Sequence, residues 1–210
     1  MDKQTKDNQI ILAVPTALLF PNGKNYFQGF SAHSKVDFQE RILTYCQWLR
    51  RGDIEEDPGY KHPIPYAMIV NPKKSLVFSY QRAKGHDESR LAGKWSWGVG
   101  GHVDSRGTST NPLAESMLRE VNEEVDFADG KIEFHRVLGY INDDSNAVGK
   151  VHFGILSVVE TDATLITPKD SEIFRGEFKS VSELEKISQE EDVENWSRIA
   201  LEPLRDYLSK

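Results

Sequence analysis

A single cysteine, Cys46, serves the whole 210-residue chain. One thiol makes no intrachain disulfide and leaves no zinc cluster to expect, which fits a reducing compartment. Long apolar runs are missing too, and none approaches the length of a membrane span. The opening residues, Met1-Asp2-Lys3-Gln4-Thr5-Lys6-Asp7, carry no apolar signal core. The expectation is a cytoplasmic protein with no membrane partner. Basic excess is also absent: 26 Lys and Arg stand against 33 Asp and Glu, a formal charge of −7. Such a balance does not suit a general nucleic-acid surface. It still admits an anionic phosphate ester, provided a metal ion or local basic residues receive it. There is no internal repeat and no low-complexity tract. At this length the chain is one domain, or one domain with an extension, and buries a sizeable core without staples.

What is present is concentrated at Arg119-Glu120-Val121-Asn122-Glu123-Glu124. Glu120, Glu123 and Glu124 fall at i, i+3 and i+4, so a helix gathers all three on one face. Ala114, Met117, Leu118, Val121 and Val125 follow helical spacing on the other face. Like charges at this spacing cost a helix about 0.2–0.5 kcal/mol per pair. A hard divalent cation removes that repulsion, because carboxylate oxygens are its preferred ligands. A solvated acidic face is the plain alternative. The start of the helix is marked separately by Asn111 at the N-cap and Pro112 at the first helical position. Upstream, Trp95 to Val103 reads as a short strand running into Gly100-Gly101, where glycine permits close approach of backbone to a ligand or ion. Trp95 and Trp97 are suited to core packing or to stacking on a base, with the core as the default.

This stretch resembles the Nudix box of the Nudix hydrolases: Gly101 opens it, Arg119 to Val125 matches its core, and Phe127 fills its last apolar position. Three departures stand out. The loop from Gly101 to Arg119 is four residues longer than the pattern, Asn111 occupies the place of the mid-loop glutamate, and Asp126 replaces the glycine after the helix. The resemblance covers roughly residues 65–180 and is nearest to bacterial Nudix proteins described as predicted phosphoesterases. It implies an α+β fold with a mixed β-sheet sandwiched between α-helices, in α/β/α layers. It also implies metal-dependent hydrolysis of a phosphoanhydride in a nucleoside diphosphate linked to another moiety, with Mg²⁺ or Mn²⁺ as cofactor. On this resemblance Glu120, Glu123 and Glu124 are metal ligands, Glu120 being ligand or base, and Arg119 orients them. The carbonyl of Gly100 is a further ligand, as is Glu172, which stands six residues before Phe178. Arg82 follows the strand before the box, where the family's substrate border begins. Lys94 lies in the same polar loop, and His102 and His152 complete the candidate phosphate-binding set. Homodimers are common in the family.

Two other readings accompany this one. A non-catalytic Nudix-fold module that binds a nucleotide or regulates a partner is kept open by Asn111, Asp126 and the N-terminal extension. An isoprenoid diphosphate isomerase is suggested by Trp95 and Gly101-His102, but it requires a cysteine just before the helix, and Cys46 lies far upstream.

The remaining expectations concern layout. Residues 1–62 form an N-terminal extension packing on the core, and 63–210 form the Nudix domain. In the extension, a strand over Ile10 to Phe20, a turn at Pro21-Asn22-Gly23-Lys24 and a strand from Tyr26 predict a β-hairpin. A helix follows over Val36 to Arg51, stopped by Gly52. Asp53 to Pro65 reads as a linker. A hairpin over Tyr66–Val70 and Leu76–Tyr80, strands at Ile132–Tyr140 and Val151–Val159, and two C-terminal helices complete the pattern. Ser180–Glu183 and Ser188–Glu191 each match a capping box. Asp143 and Asp144 are read as an exposed acidic turn.

Overall fold

A computed structural model of the chain describes residues 3–83, 92–105, 110–169 and 173–209. In order, the elements are α1 Lys3–Asp7, β1 Ile10–Pro15, α2 Thr16–Leu19, β2 Gly29–Ala32, α3 Phe38–Tyr45, β3 Gln47–Arg50, α4 Arg51–Ile54, β4 Tyr60–Asn71, β5 Leu76–Arg82, β6 Trp95–Ser96 and β7 Val99–Gly100. They continue with α5 Pro112–Glu124, β8 Val125–Phe127, β9 Ile132–Asn142, α6 Ala147–Val151, β10 His152–Thr161, β11 Ile166–Pro168, β12 Ile173–Ser180, α7 Val181–Glu190 and α8 Asn195–Leu208. The main sheet runs in the order β12-β5-β4-β10-β9-β2, with β1, β3, β6 and β7 joined off that path. The combination is α+β, as expected. The chain forms two compact units, each assembled from separated stretches. Met1–Tyr66, Gly100–Leu118 and Gly139–Leu156 make the first; Ala67–Val99, Arg119–Leu138 and Ser157–Lys210 make the second.

In the first unit, β1 buries Ile11 to Val14 and pairs antiparallel with β3 (Ile11 opposite Leu49) and β4 (Val14 opposite Lys61). The predicted strand to Phe20 therefore ends early. Pro15 has no N–H to continue a ladder, and its φ of −58° leads into α2. The turn at Pro21–Gly23 forms as expected, with Asn22 and Gly23 at φ of 55° and 72°. Its following strand, however, is β2 at Gly29–Ala32, and it pairs with β9 rather than with β1. The helix predicted over Val36–Arg51 stops at Tyr45, and Gly52, the predicted stop, sits inside α4. Phe38 and Ile42 are buried as its inner face. Gln47–Arg50 leaves the helical path because β1 presents backbone groups that must be paired. The predicted linker ends at Gly59, since Tyr60 already belongs to β4 and Lys61 and His62 are fully buried. Phe20, Phe27, Phe38, Tyr140 and Phe153 pack as an aromatic core, mostly edge to face, with centroids 5.1–6.4 Å apart.

The second unit holds the expected hairpin, β4 with β5, with Val70 opposite Val77. β5 pairs in turn with β12, placing Phe78 opposite Phe178. Trp95 and Trp97 are buried, which bears out core packing for both. Arg175 and Lys179 lie over the Trp95 ring, at 4.9 and 5.3 Å from its centroid. α7 carries the predicted capping box, reciprocal between Ser180 and Glu183. The second predicted box does not form. Ser188 remains inside α7 and accepts hydrogen bonds from Arg198, and α8 starts after Glu194 without a side-chain cap. α8 runs on through Pro203, with Ser197, Ala200 and Leu204 buried.

Candidate functional site

Helix α5 begins as its sequence prescribes. Asn111 Oδ1 accepts from the backbone N–H of Ala114 at 3.2 Å, and Pro112 occupies the first helical position. Leu113, Met117 and Val121 are its buried face, and the buried Val125 follows as the first residue of β8. Its end explains the aspartate that stands where a glycine is expected. The chain passes from Glu124 directly into β8, where Asp126 is extended opposite Thr167 of β11. No left-handed residue is needed there, so glycine has no advantage.

On the charged face, Arg119 Nη1 lies 2.8 Å from Glu120 Oε1 and 3.0 Å from Glu123 Oε2. One guanidinium thus bridges two carboxylates whose mutual repulsion would otherwise burden the helix. Glu120 is largely covered, whereas Glu123 is half exposed. Lys169 secures the end of this helix: its N–H donates to the Glu124 carbonyl at 2.8 Å, and its Nζ donates to the Asn122 carbonyl at 3.0 Å.

The two expected basic substrate contacts of this unit are both engaged by the segment before α8. Arg82 forms an ion pair with Glu194, itself buried, and Lys94 lies 3.7 Å from Asp192. Tyr80, then Glu194 and Glu124, hold the Arg82 guanidinium in its charged form against the opposing effect of burial. Gly100 lies in the first unit, where an added Cβ would stand 2.1 Å from the Pro65 carbonyl oxygen, so only glycine fits that backbone passage. Glu172 lies outside the described residues.

His102 and His152 belong to a different arrangement, also within the first unit. With His62 of β4 they form a cluster of three rings whose centroids are 5.1–5.4 Å apart. His62 Nδ1 is 3.3 Å from His102 Nε2, which is 3.2 Å from His152 Nε2. Burial, followed by the charge of His152, pulls His62 down to about 4 and His102 well below its ordinary value. The His62 and His102 rings are therefore neutral at pH 7.

Asp143 and Asp144 are no exposed turn. Asp143 is buried and accepts from Gln28, and Asp144 receives the buried Lys61 Nζ at 2.6 Å and the Tyr26 hydroxyl at 2.9 Å. Lys61 Nζ also donates to the carbonyls of Gly149 and His152. Burial lowers its pKa, and the Asp144 carboxylate works against that. Lys61 and His62 went unseen as site residues because their stretch, charged and proline-containing, reads as a linker.

No family model matches the sequence. The chain is 36% identical over 205 residues to protein YmaB of Bacillus subtilis strain 168, covering 95% of this chain and 98% of YmaB. Among solved structures, it resembles Tm1382, described as a candidate Nudix hydrolase, with a TM-score of 0.78 at 28% identity, over 95% of this chain and 100% of Tm1382. The Nudix domain of Shewanella oneidensis NrtR, solved with ADP ribose, shares the fold at a TM-score of 0.54 and 14% identity, over 70% of this chain and 88% of that domain. A bifunctional NMN adenylyltransferase/ADP ribose pyrophosphatase of Francisella tularensis, solved with AMP and a Mn ion, matches at 0.51 and 14% identity, over 70% of this chain and 42% of its own. With a capped helix carrying Arg119, Glu120, Glu123 and Glu124, and with likeness to YmaB and Tm1382 along nearly all its length, the chain belongs to the Nudix hydrolase family.

Proposed function

We propose that the chain is a metal-dependent hydrolase of the phosphoanhydride bond in a nucleoside diphosphate linked to another moiety. The observation that carries this reading is the bridge from Arg119 to Glu120 and Glu123 on a helix with its start capped at Asn111. The guanidinium supplies to the two carboxylates the positive charge that a divalent cation would supply. The donors are hard carboxylate oxygens, the set that suits Mg²⁺ or Mn²⁺. Glu120, Glu123 and Glu124 would hold the ion. When bound, such an ion stabilises charge on the diphosphate oxygens and eases deprotonation of an attacking water.

The side chains act around it. Arg119 keeps Glu120 and Glu123 oriented by charge-assisted hydrogen bonds. Glu120, the more covered of the two, is ligand or base in this reading. Arg82 is the candidate phosphate contact, exchanging Glu194 for the substrate, and Lys94 is a second. We take 63–210 as the Nudix domain, with 1–62 as its N-terminal extension.

The test is turnover of a panel of ADP-ribose, dinucleotide cofactors, coenzyme A, dinucleoside polyphosphates and nucleoside triphosphates, with Mg²⁺ and then Mn²⁺. Wild-type protein and Glu124→Gln are assayed side by side. Metal-dependent release of nucleotide or phosphate, reduced by about two or more orders of magnitude in Glu124→Gln, is the expected result. Near-equal turnover by the variant would overturn the site. Absence of turnover, with a panel compound still raising the melting temperature, would instead identify a nucleotide-binding module.

A further inference from the structure

We propose that His62, His102 and His152 form a binding site for a borderline transition-metal ion of the Zn²⁺ class, with His62 Nδ1, His102 Nε2 and His152 Nε2 as ligands and one coordination position left open. All three residues belong to the first unit.

The spacing carries the first part of the argument. Zinc binds imidazole nitrogen at about 2.0–2.1 Å in a tetrahedron, so two ligand nitrogens stand about 3.3 Å apart. Two of the three edges here are 3.3 and 3.2 Å. Ligand atoms of all three residues lie within 4.8 Å of one another.

The tautomers carry the second part. His62 Nε2 lies 3.2 Å from the Ile54 carbonyl, and His152 Nδ1 lies 2.7 Å from the Val148 carbonyl. A carbonyl only accepts, so each of these nitrogens bears a proton. The opposite nitrogen of each ring, His62 Nδ1 and His152 Nε2, then faces His102 Nε2. One cation accepts the lone pairs of all three nitrogens at once. Donation of the second ring N–H to a backbone carbonyl is also the usual way in which a metal-binding histidine is oriented.

The supports are firm, and the charge is partly matched. His62 lies in β4 and is fully buried, and His152 opens β10. The helix before it, α6, is capped by the Asn146 side chain. His102 has its carbonyl held by Ser116 Oγ at 3.4 Å. The Glu55 carboxylate acts on His62 and His152, and Arg51, which also acts on His102, is bound to it by two hydrogen bonds of 2.7 and 2.8 Å. Imidazole donors without carboxylate or thiolate favour Zn²⁺, Cu²⁺, Ni²⁺ or Co²⁺ over Mg²⁺ or Ca²⁺. Three histidines with a fourth position free is the pattern of an ion that can still take a water or a substrate oxygen.

The test uses the tag-free full chain, stripped with EDTA and titrated with Co²⁺ in excess Mg²⁺. One equivalent should bind with the intense visible bands of four-coordinate cobalt, and Zn²⁺ should displace it. Zn²⁺ should also raise the melting temperature of the wild-type protein. In His102→Gln and His152→Gln, affinity should fall by more than the roughly 10–100-fold typical of outer-shell partners, and the bands should disappear. A variant with Glu120, Glu123 and Glu124 all changed to Gln should retain them. The proposal fails if wild-type protein shows no such bands, if they persist in either histidine variant, or if they vanish with the glutamates. Should His102→Gln not fold, as judged by far-ultraviolet circular dichroism, His152→Gln decides alone, because its ring is only half buried at a strand end.

Discussion

Lys61 shows what a buried charge requires. It is 1% exposed, yet its ammonium reaches one carboxylate and two carbonyl oxygens, the three acceptors its three protons can use. Burial alone would favour the neutral amine, and Asp144 opposes that. Removing one partner leaves the other partly covered without a counter-charge, a loss of about 3–5 kcal/mol in comparable buried pairs. Lys61→Ala should therefore lower the unfolding free energy by about 3 kcal/mol, read from urea denaturation. The Lys61→Met/Asp144→Asn double variant should recover part of that loss, because no unpaired charge remains. A Lys61→Ala midpoint equal to wild type would mean that the pair contributes nothing. The same logic at Arg119 has a different purpose. There the cation is shared between two glutamates of one helix, and in the proposed function a metal ion takes over its task.

At the scale of the element, α5 sets the relation between stability and chemistry. Its first turn depends on Asn111, which stands where a glutamate is expected in the family pattern. Asn111→Ala should cost about 1 kcal/mol in stability, whereas Asn111→Asp should cost little, since aspartate caps as well as asparagine. Both are measured as shifts in the urea midpoint at constant slope. Equal midpoints for Ala and wild type would remove the capping role and reopen Asn111 as a residue of the site. The other end of α5 is held by Lys169, which donates to the Asn122 and Glu124 carbonyls, and β8 takes over the chain at once. Helix α3 and strand β3 illustrate a different rule. The helical spacing over Val36–Arg51 is real for Phe38 and Ile42, but the unpaired edge of β1 captures Gln47–Arg50 as a strand.

For the molecule as a whole, the buried imidazoles tie stability to pH. His62 has a folded pKa of about 4 against 6.5 for the free side chain, and burial is the main cause. Below pH 6.5 the unfolded chain takes up a proton that the folded chain refuses. Stability is therefore complete above about pH 6.5 and falls as pH drops toward 4, by up to about 3 kcal/mol for this one group. His102 acts in the same direction. In EDTA, urea midpoints measured between pH 7 and 5 should decline, and His62→Gln should flatten the decline. Most carboxylates remain ionised in that window and contribute little to the slope. A flat wild-type profile would show that the cluster is protonated in the folded state.

The sequence by itself determined what a few neighbouring residues decide. The capped start of α5, its buried and acidic faces, the β4–β5 hairpin, the Pro21–Gly23 turn and the Ser180 capping box all follow from contacts over one or two turns of chain. The glutamate face, and with it the family, was legible for the same reason. Only the tertiary structure decided which strands pair, because a strand's partner is chosen by the burial of distant segments. It moved β2 to β9, made Tyr60–Pro65 a strand and turned an apparent acidic loop into the counter-charge of Lys61. It also brought together His62, His102 and His152, which are 40 and 50 residues apart in sequence. No local pattern records that meeting, since each ring reaches the cluster from a different strand or loop and is aligned by backbone carbonyls and packing within the folded unit.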